Sequence, residues 1–195
     1  MPVGRGILIA AAVMVTVNVA YTQQFQFGVS AGVVASQIDG DNLRGFHKVG
    51  YQAGLLGGYA VDARNWIVVE LKQALYGSSR RQEQTTHLEI DIRSIDVVLA
   101  YGRRFGDRWD GQQRFRVLAG PRLHRIIVAK SETLNRTDLA TFFLSAQITL
   151  SHLIGPATQL DLAYAHGLSD ILDTELTGVG KLQPYFLSFG VSHHF

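Results

Sequence analysis

The feature that most constrains the fold is an alternation of period two, clearest in the final stretch from Gln183 to Phe195, Q-P-Y-F-L-S-F-G-V-S-H-H-F. Tyr185, Leu187, Phe189 and Val191 share one parity, which Phe195 completes; Phe186, Ser188, Gly190, Ser192 and His194 share the other. Successive side chains of a strand point to opposite faces, so this segment has one apolar face and one that is mostly small and polar. In water, a strand edge ending on a large aromatic invites aggregation. In a bilayer the same pattern has a use. Hydrocarbon lies outside, polar groups lie inside, and the last strand closes on the first so that no backbone group is left unpaired.

Seven more segments repeat the pattern. From Phe25 to Ser36, Phe25, Phe27, Val29, Ala31, Val33 and Ala35 oppose Gln26, Gly28, Ser30 and Gly32. Val49–Val61 and Trp66–Gly77 follow, joined by the short turn Asp62-Ala63-Arg64-Asn65. In His87–Gly102 the parity changes: Leu88, Ile90 and Ile92 are even, whereas Ile95, Val97, Leu99 and Tyr101 are odd. If every apolar residue faces outward, one extra residue near Arg93-Ser94 repairs the alternation, which predicts a β-bulge there. Arg114–Val128, Ala140–His152 and Thr158–Ser169 complete the set, with Pro121 weakening the ladder locally. Eight strands of about 10 to 15 residues suit tilted crossings of a bilayer.

The connections predict an orientation. Long polar stretches (Gln37–Lys48, Gly77–Thr86, Ala129–Leu139, Asp170–Leu182) alternate with mostly shorter ones, Arg103–Gln113 being long for its place. Transmembrane barrels have short periplasmic turns and longer external loops. Phe25, Phe27, Tyr59, Tyr101, Phe105, Trp109, Phe115 and Phe195 gather at the predicted periplasmic ends, and Tyr51, Phe142 and Tyr185 at the external ends, as aromatic girdles do.

At the other end of the chain, Arg5 precedes an apolar run from Ile7 to Val17, followed by Asn18-Val19-Ala20-Tyr21-Thr22. A charge, a short apolar run and small residues describe a secretory signal peptide, residues 1–22, with the mature domain spanning 23–195. The run is too short for a spanning helix. Cysteine is absent, so neither a lipid anchor nor disulfides are expected, and stability in an oxidising compartment must come from elsewhere. Removing the leader, which carries one Arg and no acid, lowers the formal charge from +2 to +1, so nucleic acid is not an expected partner.

These residues resemble a known family. F-G-V-S-A-G-V-V-A-S-Q-I-D-G-D-N with G-F-H-K-V-G-Y-Q-A-G-L is similar to the opening of the PorT-like outer-membrane β-barrel proteins, and V-V-E-L-K-Q-A-L-Y-G, R-V-L-A-G-P-R-L and S-F-G-V-S-H-H-F resemble later blocks. The resemblance implies an eight-stranded outer-membrane barrel. The family's name is linked to protein secretion, and its motifs mark a scaffold with no catalytic signature.

The inward parity carries charge unevenly: Glu70 and Lys72 on the third strand, Glu89, Asp91, Arg93 and Asp96 on the fourth, and Arg114, Arg116, Arg122 and His124 on the fifth. Acids opposite bases on adjacent strands predict an ion-pair network in the lumen. Eight strands enclose only enough space for side chains, so a plug is expected rather than a conduit. Tyr185, Leu187, Phe189, Val191 and Phe195 form the barrel-closing surface that the barrel-assembly machinery would receive.

No enzymatic activity, cofactor or metal is expected. Asp39, Asp41 and Asn42 read as a turn, and adjacent His193 and His194 point to opposite faces. No G-x-S-x-G occurs, no pattern groups the histidines, serines and acids at a pocket, and Gly178-Val179-Gly180 precedes no helix pattern. Expected partners are outer-membrane lipid and a protein bound by the external loops. The alternatives are a soluble lipocalin-like barrel binding a small apolar ligand, whose apolar rows would face inward, and a small pore.

Overall fold

The computed structural model describes residues 24–39, 46, 48–78, 90–105, 114–131, 139–172 and 182–195. The signal-peptide stretch, Glu89, Asp41, Asn42, Trp109 and the Gly178–Gly180 segment lie outside the described residues. Eight strands follow in order: β1 (Phe25–Asp39), β2 (Lys48–Ala60), β3 (Asn65–Ser78), β4 (Ile90–Phe105), β5 (Phe115–Ser131), β6 (Phe142–Leu153), β7 (Thr158–Gly167) and β8 (Gln183–His194). Each pairs antiparallel with its neighbour in sequence, and β1 also pairs with β8, so the sheet closes into an up-and-down barrel. The closing ladder runs from Gly28↔His194 to Asp39↔Gln183, which removes both edges.

Sidedness follows the alternation. On β4, Val97, Leu99 and Tyr101 are exposed while Val98, Ala100 and Gly102 are buried. Outward-facing Arg93 and Arg103 bracket this row on β4. The ten residue steps of tilted strand from one to the other span roughly 25 Å of height, the height of the apolar band on such barrels. Phe27, Val33, Leu55, Leu71, Ile148, Leu162 and Phe189 continue the exposed apolar belt around the barrel.

The bulge sits at the expected height but on the other strand. Arg93 pairs with Val128 and Ser94 with Ile126, so the extra residue is Ile127 of β5. β4 keeps one parity throughout. Its Ile90 and Ile92 therefore point inward and are fully buried, while Arg93 faces out and Asp91 is ion-paired with Lys48 at the rim. Placing Asp91 and Arg93 in the lumen is thus corrected. The strand's inward parity does not change; the apolar residues change face because the interior turns apolar.

Glycine is required where backbones crowd. A Cβ on Gly50 would lie 1.8 Å from the Leu75 carbonyl oxygen. Beside it, Ser36 of β1 reaches β3 directly: its hydroxyl accepts from the Gly77 amide (2.9 Å) and donates to the Gly77 carbonyl (2.7 Å).

Candidate functional site

Inward side chains fill the barrel in three storeys. At the long-loop end lies an apolar plug: Val34, Ile38, Tyr76, Ile90, Ile92, Ile126, Phe143 and Phe186 from the strands, with Leu139, Ile171 and Leu182 from the connections. Asp170 ties the connections down, since one carboxylate oxygen accepts from the amides of both Leu172 and Leu182 at 3.0 Å. Leu139 bridges to Leu172, and the Ala140 amide donates to the Ile171 carbonyl at 2.9 Å. The expectation of a polar lumen is corrected at this level, because the inward parity of every strand except β2 turns apolar near its loop end.

Below the plug is a charged collar. Arg122 of β5 donates to the Asp96 carboxylate of β4 from Nη2 (2.6 Å) and Nε (3.2 Å), and from Nη1 to Gln147 of β6 (3.1 Å). Gln147 passes the chain on to the Thr149 hydroxyl at 3.0 Å. His124, two residues above Arg122, sets Nδ1 3.1 Å from the other Asp96 oxygen and Nε2 2.8 Å from Ser145 Oγ. A carboxylate only accepts, so Nδ1 carries a proton toward Asp96, and in the neutral ring Nε2 accepts from the serine. Asp96, His124 and Ser145 thus stand in the order of a hydrolase triad, although no sequence pattern joins them. They lie on three strands, and only the register brings them together.

Access decides what this relay can do. All three residues are fully buried. The His124 ring stacks on Phe143 at 4.0 Å and 5°, and Phe186 lies 5.5 Å away, itself packed against Tyr76. With these rings covering the relay and all three side chains sealed, the arrangement satisfies a buried carboxylate rather than activating a nucleophile.

The third storey is polar. Lys72 pairs with Glu70 of the same strand at 2.5 Å, Ser192 donates to Asp161 at 2.5 Å, and Gln159 donates to Ser192 at 2.8 Å. Between these groups and Gln52, Thr149 and Ser188 lies a cavity of about 20 Å³. That is space for about one water. A small apolar patch of Val68, Val98, Ala100 and Leu118 packs beside them on β3 to β5.

Of the sequence-predicted lumen residues, the structure joins Asp96, Arg122 and His124 in the collar and places Glu70, Lys72 and Arg116 below it. Arg114 stands exposed just before β5, where it lines a groove at the turn end with His152 and Pro156. Gln52, Ser145 and Gln147 were missed; their uncharged side chains gave no signal apart from their inward parity. On the closing strand, Tyr185 is half-buried, Leu187, Phe189 and Val191 face outward, and Phe195 ends the chain exposed.

No family model matches the sequence, and no curated protein does. Solved structures match the fold. Neisserial surface protein A aligns with a TM-score of 0.55 at 18% identity, covering 87% of this chain and 97% of that one. Ail, the attachment invasion locus protein of Yersinia pestis, aligns with a TM-score of 0.50 at 13% identity, covering 88% and 99%. Ail bound to the heparin analogue sucrose octasulfate gives 0.51 at 12% identity, again over 88% and 99%. The fold is that of the small outer-membrane β-barrels. At these identities the likeness extends to architecture alone.

Proposed function

We propose that the chain is an integral outer-membrane barrel, exported through a cleaved signal peptide at residues 1–22, with a stoppered lumen and no enzymatic role. Its work is structural, or lies in surface interaction or as an accessory of secretion or assembly, the last in keeping with the resemblance to PorT-like proteins. The closing strand, with its outward Leu187, Phe189 and Val191 and terminal Phe195, would be received by the barrel-assembly machinery. The loops at the plugged end, which the proposed orientation puts outside the cell, would carry recognition.

One observation carries this reading: the apolar rows face outward while the interior is filled from plug to floor. A lipocalin-like binder needs the reverse sidedness. A pore needs a continuous polar path, and Tyr76, Phe143 and Phe186 stand across it.

The test is extraction and conductance together. The protein is expected to stay in the outer-membrane fraction until detergent is added, to migrate differently on a gel before and after boiling, and to pass no discrete current in a planar bilayer. Solubility without detergent after signal removal would overturn the membrane assignment. Stepwise conductance would overturn the stoppered lumen.

A further inference from the structure

The floor of the lumen holds a second cationic group that the collar does not use. Arg104 of β4 and Arg116 of β5 are direct cross-strand partners on the inward face. Like charges in that position repel, so they need a counter-charge. Among the described residues neither has a carboxylate within ion-pair distance. The nearest acids are each engaged through one oxygen: Glu70 with Lys72, and Asp161 through Oδ2 with Ser192, while Asp161 Oδ1 is buried with no partner among the described residues. Counting Lys72, Arg104 and Arg116 against Glu70 and Asp161, the floor carries one cation in excess among the described residues.

Unmet hydrogen-bonding capacity gathers at the same place. Arg104 Nε, Arg116 Nε, Trp66 Nε1 and both ring nitrogens of His194 are buried with no partner among the described residues. Arg116 is only 2% exposed. Buried donors without acceptors are costly, and those of Arg104, Arg116 and Trp66 have no acceptor within bonding distance among the described residues. The Arg104 guanidinium lies 4.2 Å over the Trp66 ring, which holds it flat against the wall. Arg104 and His194 are half-buried, leaving the group reachable from the turn end.

We propose that Arg104 and Arg116, with Trp66 and His194, form a binding site for a small oxyanion, a phosphate or carboxylate group, at the turn-side mouth of the barrel. Guanidinium forks match the paired oxygens of such groups, and the indole N–H adds a neutral donor. The site stands apart from the loops that carry the proposed recognition, and its logic does not depend on what those loops bind.

The test uses the folded barrel in a maltoside detergent, free of phosphate, with the arginine Nε–Hε signals followed by NMR. Inorganic phosphate and acetate are titrated separately against chloride at equal ionic strength. Saturable movement of the Arg104 and Arg116 signals is expected, and which anion produces it names the ligand class. Arg104→Gln and Arg116→Gln should each weaken binding by about tenfold or more. Arg104→Gln, at the more exposed position, serves if Arg116→Gln does not fold, and heat-modifiable migration checks both. Absence of saturable movement with either anion would overturn the proposal, as would unchanged affinity in a folded variant. Asp107 and Asp110 belong to the Arg103–Gln113 connection and follow Arg104 in sequence. Binding that appears only in an Asp107→Asn/Asp110→Asn variant would overturn the proposal too, since the chain's own acids would then be the counter-charge.

Discussion

Arg122 and Asp96, 26 residues apart in sequence, meet across β4 and β5 through two hydrogen bonds of 2.6 and 3.2 Å to a single carboxylate oxygen, both side chains sealed from solvent. The other carboxylate oxygen faces His124 at 3.1 Å. The pair is the hinge of the interior: apolar side chains lie above it and polar ones below. A buried ion pair adds little net stability over a well-packed apolar pair, but breaking it leaves a stranded charge.

Arg122→Met should therefore cost about 3–5 kcal/mol in urea unfolding from detergent or liposomes. Adding Asp96→Leu to it should restore part of that loss, because the stranded carboxylate goes as well. Losses that simply add would show that the two side chains do not act as a pair.

Crowding at Gly50 gives a second expectation. Its missing Cβ makes room for the Leu75 carbonyl, a backbone atom that cannot swing aside. Gly50→Ala should destabilise the barrel by about 1–3 kcal/mol. Gly155→Ala is the control, since nothing lies within 4 Å of a Cβ there, and it should change stability by no more than about 0.5 kcal/mol. Equal effects in thermal or urea unfolding would refute the close approach.

The sequence carried the strands but only part of the interior. Alternation in Phe25–Ala35, Tyr185–Val191 and their counterparts was legible because lipid and lumen are such different solvents. The reading failed where apolar meant inward. Placing Ile90 and Ile92 on the lipid face forces a bulge into β4 and turns Asp91 and Arg93 inward; the extra residue is Ile127, and the isoleucines belong to the plug. A period-two pattern cannot say which strand of a pair is bulged, because Ile126-Ile127-Val128 is apolar at every position. The Asp96–His124–Ser145 relay was equally invisible, since it depends on register across three strands.

Ser145 should be chemically inert despite its neighbours. A fluorophosphonate probe is expected to leave the folded barrel unlabelled, because Phe143 and Phe186 cover the relay. Ser145→Ala should cost about 1–3 kcal/mol of stability by leaving His124 Nε2 unpaired. Labelling of Ser145 in the folded state, lost on His124→Ala, would contradict the structural role.

Asp62, in the exposed turn between β2 and β3, carries the clearest pH dependence. Its carboxylate accepts from Asn65 Nδ2 (2.5 Å) and from the amides of Arg64 (2.7 Å) and Asn65 (2.8 Å), and these bonds hold its pKa below the usual aspartate value. Since the folded value is the lower one, the turn's extra stability is fully present above the unfolded pKa of about 3.9 and is lost as pH falls through the folded one. Carbon-detected NMR titration should find Asp62 titrating below that reference, with exchange of the Arg64 and Asn65 amides quickening only beneath it. An ordinary aspartate midpoint would contradict these bonds.

The most direct measurement of sidedness exploits the absence of cysteine: single spin labels introduced along β4 in lipid bilayers. Labels replacing Val97 and Leu99 should be open to oxygen, which partitions into hydrocarbon, and shielded from a water-soluble nickel chelate. Labels replacing Val98 and Ala100 should be immobilised and closed to both. Odd positions open to the nickel chelate and closed to oxygen would mean that the apolar rows do not face lipid, and the outer-membrane barrel would have to be abandoned.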